Sequence, residues 1–276
     1  MHVDLHPRFA VRPEGLEARA LTSACVHCGF CLPACPTYVE ERDERDSPRG
    51  RIYLIKHFLE TGEGAPETRL HLDRCLTCRN CETACPSGMQ YGELLDIGRG
   101  LVEQETSRPA GQRLQRWLLR RVLVRPALIG AALALAHTFR PLLPAQWRSR
   151  VPPRQSVGRV PAVNHERKML ILEGCVQRAA TPGTNAAARR VLDRLGISVI
   201  AAPAAGCCGA LDYHLAAHAA GLDRMRANID AWWPYIEQGV EALISSATGC
   251  GAQLADYGRL LAHYPAYAEK ARRVSE

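Results

Sequence analysis

No stretch of this 276-residue chain reaches the roughly 18 unbroken apolar residues of a membrane-spanning helix. The longest candidate, Pro126 to Phe139, is too short. The N-terminal segment, Met1 to Arg12, carries Asp4 and two histidines but no apolar core. No export signal is therefore visible, and a cytoplasmic location is expected. Aromatics are scarce at 6%, yet 47% of residues are hydrophobic and 23% charged, which excludes both a disordered chain and a membrane channel. Acid is missing from one long stretch: between Thr106 and His165 there is no Asp, Glu or Lys, but eleven arginines. The net charge of +7 thus combines a middle of +11 with a remainder of −4.

Cysteine is what the chain has in excess. Its twelve cysteines are about 4% of the residues, well below the roughly 8–10% of a small disulfide scaffold. Without an export signal they point to metal or redox chemistry. Eight lie within residues 25–85, none within 86–174 and four within 175–250. This division predicts an N-terminal domain over 1–105, an Arg-rich connecting segment over 106–165 and a C-terminal domain over 166–276.

The N-terminal domain is internally repeated. Cys25-Val-His-Cys28-Gly-Phe-Cys31-Leu-Pro-Ala-Cys35-Pro36 matches Cys75-Leu-Thr-Cys78-Arg-Asn-Cys81-Glu-Thr-Ala-Cys85-Pro86 cysteine for cysteine. C-x2-C-x2-C-x3-C-P is the iron–sulfur spacing of bacterial-type ferredoxins, in which the fourth cysteine serves the other cluster. The expected ligand sets are Cys25, Cys28, Cys31 and Cys85 for a first 4Fe–4S cluster, and Cys75, Cys78, Cys81 and Cys35 for a second. Zinc also uses C-x2-C pairs, but zinc motifs rarely repeat a four-cysteine run with a trailing proline. His27 reads as a surface residue rather than a ligand. The 39 residues between Cys35 and Cys75 suit a helical ferredoxin domain. Apolar Ile52, Ile55 and Leu59, with Leu54 and Phe58 beside them, predict a helix between Ser47-Pro48 and Thr61-Gly62.

The C-terminal domain alternates strand and helix. Strands are expected at Met169–Leu172, Ile197–Ile200 and Val240–Ile244. Helices are expected from Gly183 to Leu195, from Tyr213 to Ile236 with Pro234 bending or ending it, and from Ala252 to His263. That alternation implies a parallel βαβ sheet, so the fold class is α+β and multi-domain: a helical two-cluster ferredoxin domain followed by an α/β cysteine-rich domain. Cys175, Cys207, Cys208 and Cys250 each follow a strand, and carboxyl ends of parallel strands form a binding crevice. A shared site is expected there. An iron–sulfur cluster, zinc and a reactive thiol pair all stay open for it.

The words Ser47-Pro-Arg-Gly-Arg-Ile52, Pro86-Ser-Gly-Met-Gln-Tyr-Gly92, Asp96-Ile-Gly-Arg99, Leu172-Glu-Gly-Cys-Val-Gln177 and Gly206-Cys-Cys-Gly209 surround these cysteines. Together they resemble the family of glycolate oxidase (glycolate dehydrogenase) iron–sulfur subunits. The resemblance implies an electron-transfer subunit. A partner FAD-containing subunit would oxidise glycolate to glyoxylate, and this chain would relay electrons toward a quinone or other membrane acceptor. No catalytic acid–base set is identified in the sequence. Relatives acting with lactate or glycerol-3-phosphate dehydrogenases, and heterodisulfide-reductase-like catalysis at the C-terminal cysteines, are the alternatives. Family members usually carry two CCG-type (cysteine-rich) repeats. One is present here, and Ala247 and Gln253 stand where the closing C-x-x-C would place a second cysteine beside Cys250. A fragment or short variant is the expectation that follows.

The Arg-rich segment is broken by Pro126, Pro141, Pro144, Pro152 and Pro153, which disfavours one continuous amphipathic helix. Contact with a partner subunit or with an anionic membrane surface, at the inner face of the cell membrane, competes with a solvated linker. Nucleic-acid binding is rejected for want of a reader or stacking platform.

Overall fold

The computed structural model describes residues 1–161 and 163–276. The chain divides into two compact units, one of Met1–Ala110 with His214–Ala216 and one of Gly111–Tyr213 with Ala217–Glu276. Helices dominate both, and the second adds a small parallel sheet.

In the first unit the long helices are α1 (Pro13–Ser23), α2 (Pro48–Thr61), α3 (Pro66–Asp73) and α4 (Tyr91–Glu105). Three of the four begin on proline, whose missing N–H and fixed φ cost nothing at a first helical position. Ser47 caps α2 by accepting from the Gly50 amide at 2.9 Å, and Gly62, at φ 73°, ends it. The predicted helix is therefore found, with its predicted start and stop. Gly50 cannot carry a side chain: a Cβ would stand 1.9 Å from the Glu44 carbonyl oxygen. Ile52, Ile55, Phe58 and Leu59 face a core completed by Phe9, Leu72, Leu94 and Leu95.

The second unit opens with α5 (Ala110–Val122) and α6 (Pro126–Thr138), and the break falls at Pro126 as the proline pattern predicts. Three strands follow in the order β2 (Ile197–Ile200), β1 (Arg167–Leu172), β3 (Leu243–Ser245), all parallel. Their connections carry α7 (Pro182–Arg194) after β1 and α8 (His218–Glu237) after β2, while α9 (Thr248–Ala255) and α10 (Ala268–Ser275) follow β3. Trp232, Met225 and Ile229 from α8 pack with Tyr257, Leu170 and Leu261 as the core.

Three expectations are corrected. The stretch from Tyr213 is not one helix: Ala210–His214 is a short helix, Ala216 turns left-handed at φ 62°, and α8 begins only at His218. Pro234 does not end α8, which runs on to Glu237; it stands in the last turn, where one lost backbone hydrogen bond is outweighed by the buried Ile229 and Trp232 just before it. The helix expected from Ala252 begins earlier, at Thr248, and breaks after Ala255. That shift places Cys250 inside its first turn.

Candidate metal centres

The two cysteine loops of the first unit share a backbone device. His27 (φ 54°) and Gly29 (φ 84°) flank Cys28, and Thr77 (φ 56°) and Arg79 (φ 57°) flank Cys78. Left-handed residues alternating with right-handed ones turn successive N–H groups to one side, forming a concave nest that favours anions. Both central cysteines are exposed at the loop tips, and so is His27. Asn80 Nδ2 donates to the Ala34 carbonyl at 2.8 Å and ties one loop to the other.

Each loop borders a cavity that the other loop completes. Cys25, Cys28, Cys31 and Cys85 line one. Cys35, Cys75, Cys78 and Cys81 line the other. Cys81 and Tyr91 border both. Among the described residues no three cysteine sulfurs lie within 4.8 Å of one another, whereas Zn–S bonds of about 2.3 Å hold tetrahedral sulfurs about 3.8 Å apart. The thiols are spread for a group larger than a single zinc ion, and four sulfur donors around a mostly apolar hollow fit an iron–sulfur cube.

Hydrogen bonding around the sulfurs repeats as well. The fourth cysteine of each run meets a hydroxyl two residues on: Cys35 Sγ with Thr37 Oγ1, and Cys85 Sγ with Ser87 Oγ, both at 3.2 Å. The shared Cys-Pro-Thr and Cys-Pro-Ser words are the sequence signal for this pair, one that the cysteine spacing alone does not disclose. Burial pushes the Cys31 thiol up and, with the neighbouring thiols, pushes Cys81 up much further. Burial would also raise Cys85, but hydrogen bonds from Ser87 and from the Met89, Ser87 and Gly88 amides outweigh it and hold Cys85 below the ordinary thiol value. Metal loading must therefore displace protons from Cys31 and Cys81.

Beside the second cavity lies a buried ionic group that the sequence did not disclose. Arg51 and Asp46 are both fully buried. The Arg51 guanidinium donates to the His71 carbonyl (2.7 Å), Thr37 Oγ1 (3.0 Å), Asp46 Oδ1 (3.2 Å) and Cys35 Sγ (3.9 Å). His71 Nδ1 and Arg74 Nη1 also reach the Asp46 carboxylate, at 3.0 and 2.8 Å. Burial would raise that carboxyl, but the bonds from His71 and Arg74 hold it below its ordinary value. Arg99 clamps the second loop by donating to the Leu72 and Cys75 carbonyls at 2.8 Å and to Thr77 Oγ1 at 3.2 Å. Tyr91 Oη donates to Cys75 Sγ at 3.6 Å.

In the second unit the structure brings all four C-terminal cysteines together at the carboxyl end of the sheet. Cys175 follows β1, Cys207 and Cys208 follow β2, and Cys250 sits in the first turn of α9. Cys175 Sγ donates to Cys207 Sγ at 3.6 Å. Hydrogen bonds from Cys175 and Cys208 push the Cys207 thiol well down; as their donors, Cys175 and Cys208 are pushed up, with burial adding to both. A bond from Cys208 also lowers Cys250. The Cys207–Cys208 backbone is braced from behind. Asn228 Nδ2 donates to the Cys207 carbonyl (2.9 Å), Asn228 Oδ1 accepts from the Gly206 amide (2.7 Å), and Tyr257 Oη donates to the Cys208 carbonyl (2.8 Å). Gln253, one turn after Cys250, is buried and its amide finds no hydrogen-bond partner among the described residues.

Comparison with known proteins agrees with this geometry. Residues 24–89 match the family described as 4Fe-4S dicluster domain, and residues 169–255 match the cysteine-rich CCG domain. The chain is 53% identical over 277 residues to the glycolate oxidase iron-sulfur subunit of Escherichia coli (strain K12), covering 100% of this chain and 68% of that protein. It is 31% identical over 276 residues to a probable glycolate oxidase iron-sulfur subunit of Bacillus subtilis (strain 168), covering 90% of this chain and 61% of that one. Over 106 residues, 33% of this chain and 26% of the other, it is 26% identical to one subunit of the dihydromethanophenazine:CoB--CoM heterodisulfide reductase of Methanosarcina mazei. The chain thus spans about two thirds of the length of the first two relatives. No solved structure matches.

Proposed function

Since the chain belongs to the family of glycolate oxidase iron–sulfur subunits, we propose that it is the electron-transfer component of a glycolate-oxidising complex. Oxidation of glycolate to glyoxylate releases two electrons and two protons, which an FAD-containing partner subunit takes up. This chain then carries the electrons singly toward a quinone or other membrane acceptor. Cys25, Cys28, Cys31 and Cys85 hold one 4Fe–4S cluster and Cys75, Cys78, Cys81 and Cys35 the second. Bound clusters supply one-electron redox chemistry. The chain's own residues hold, bury and hydrogen-bond the sulfurs, and the substrate's chemistry stays on the partner.

The observation that carries this reading is the exchange of fourth cysteines: Cys85 joins Cys25, Cys28 and Cys31 around the first cavity, Cys35 joins Cys75, Cys78 and Cys81 around the second, and Cys81 stands on the wall between them. The test is anaerobic co-purification with the flavin subunit, iron quantification and electron paramagnetic resonance after adding glycolate. Glycolate-dependent reduction of two clusters is expected. Reduction by lactate or glycerol-3-phosphate alone would transfer the same role to another dehydrogenase, and a chain with no reducible cluster would overturn it.

The C-terminal thiols support a third group. Cys175 Sγ and Cys207 Sγ stand 3.6 Å apart, close enough to share one centre, and the segment matches the cysteine-rich CCG domain; iron beyond the two cubanes is the expected result and one equivalent of zinc the contrary one. No helix among the described residues is long and apolar enough to cross a membrane. Helix α5 instead exposes Leu114, Trp117 and Leu118 among Arg113, Arg116 and Arg121. This fits peripheral contact with anionic lipid at the inner membrane face. Co-sedimentation with phosphatidylglycerol vesicles, but not with phosphatidylcholine ones, is the expected outcome, and equal binding to both would refute it.

A further inference from the structure

Pseudo-symmetry makes the two cluster loops look interchangeable, and the buried charges around them break that symmetry. Cys35 and Cys85 occupy equivalent places and each meets a hydroxyl at 3.2 Å. Among the described residues, of these two only Cys35 is also met by a guanidinium, that of Arg51, 3.9 Å from its sulfur and excluded from water. Arg51 is held there at every polar atom by Thr37, Asp46 and the His71 carbonyl. It cannot swing away without leaving its own buried guanidinium unpaired.

Within the buried pair Asp46 balances the charge of Arg51, and Arg74, more than a third exposed, adds only a screened positive charge; what meets Cys35 Sγ is the guanidinium itself, with Nη1 at 3.9 Å. The first cavity has Arg49 on its wall, but that side chain is a third exposed and bonded to Glu44 at 2.8 Å, so solvent and its partner screen it. A fixed positive charge in a low-dielectric wall favours whichever state of its neighbour carries more negative charge. For an iron–sulfur cluster that is the reduced state, and net charge, hydrogen bonds to sulfur and solvent exposure are what set its potential. Tyr91, donating to Cys75 Sγ at 3.6 Å, acts on the same site in the same direction.

We propose that Arg51 is a positioning and tuning residue that makes the two sites unequal. The site of Cys35, Cys75, Cys78 and Cys81 takes up an electron more readily than that of Cys25, Cys28, Cys31 and Cys85. The chain therefore has a built-in direction: an electron arriving at the first site moves to the second. This rests on the two-cluster reading above.

The test is a potentiometric titration of the full chain followed by electron paramagnetic resonance, with the signals assigned through Cys28→Ser and Cys78→Ser. In wild type the Cys78-dependent signal is expected to appear at the higher potential. Arg51→Gln lowers that midpoint alone by at least about 59 mV, a tenfold change in the reduced-to-oxidised ratio at fixed potential for a one-electron couple. Arg51→Lys retains most of it. Asp46→Asn, which leaves the guanidinium unopposed, moves the same midpoint upward, and it carries the test should Arg51→Gln not accumulate. Two intact clusters whose midpoints ignore both substitutions, or move together, would overturn the inference. Wild type with fewer than two clusters would overturn the two-cluster reading itself.

Discussion

His27, Thr77 and Arg79 are ordinary L-residues in a region that costs about 1–2 kcal/mol per residue to occupy. Each stands next to a cysteine at a loop tip, where the backbone must turn its amides inward. The cost follows from the nest and not from the side chain, as the exposed imidazole of His27 shows. His27→Gly should therefore keep the full iron content and raise the thermal midpoint slightly. His27→Val, with a β-branched side chain in the same conformation, should lower stability by about 1–2 kcal/mol. An iron loss in the glycine variant would instead mark the imidazole as a ligand. The sequence made the cysteines legible because cluster ligands lie three residues apart. It hid Arg51, Asp46, His71 and Tyr91, which converge from distant positions and carry no spacing.

At the scale of elements, the N-terminal segment depends on the end of α2. His6 donates its amide to the Leu59 carbonyl at 2.8 Å, and Asp4 donates its own to Glu60 Oε1 at 3.2 Å. Burial would raise the Glu60 carboxyl, but Lys56 and the Asp4 amide hold it below its ordinary value of 4.5. A lowered acid stabilises the fold fully above that ordinary value and loses its contribution as pH falls through the lowered one. Amide exchange of residues 4–6 should therefore accelerate on acidification below about pH 4.5 relative to a Glu60→Gln control. In the second unit, Asn228→Ala strands the Gly206 amide and the Cys207 carbonyl. A loss of about 1–3 kcal/mol is expected, read as a lower denaturation midpoint. Helix α2 was legible to its caps because Ser47, Pro48 and Gly62 are local signals. The break at Ala216 was not, since an alanine at positive φ leaves no trace in the sequence.

At the scale of the molecule, the two units differ in what they are built on. The second has Trp232 and Tyr257 fully buried in one core with a β-sheet. The first packs its helices on a core of Phe9, Ile55, Phe58, Leu94 and Leu95 beside loops whose eight cysteines carry no disulfide, so clusters bound there are expected to add to its stability. Chelation of iron under reducing conditions should melt the first unit's helical signal while Trp232 fluorescence remains native-like; simultaneous loss of both would show that one core serves the whole chain. Three parallel strands were legible from the alternation of strand and helix, and the gathering of Cys175, Cys207, Cys208 and Cys250 from their places after those strands; the order β2-β1-β3 was not. Strand β3 was displaced by up to three residues, because a run from Val240 to Ile244 does not say which of its members pair.

The exchange of cysteines between loops also bears on how the protein is made. Neither cavity has a complete sulfur lining until both loops are in place, and about forty residues separate them in the chain. A cube delivered to the first loop during synthesis meets three thiols and must wait for Cys85 to emerge. Neither site can then be completed until the second loop has been made. A single ligand substitution such as Cys85→Ser should accordingly lower iron by one cluster's share and leave the site of Cys35, Cys75, Cys78 and Cys81 loaded, and loss of both clusters would show that the sites load together.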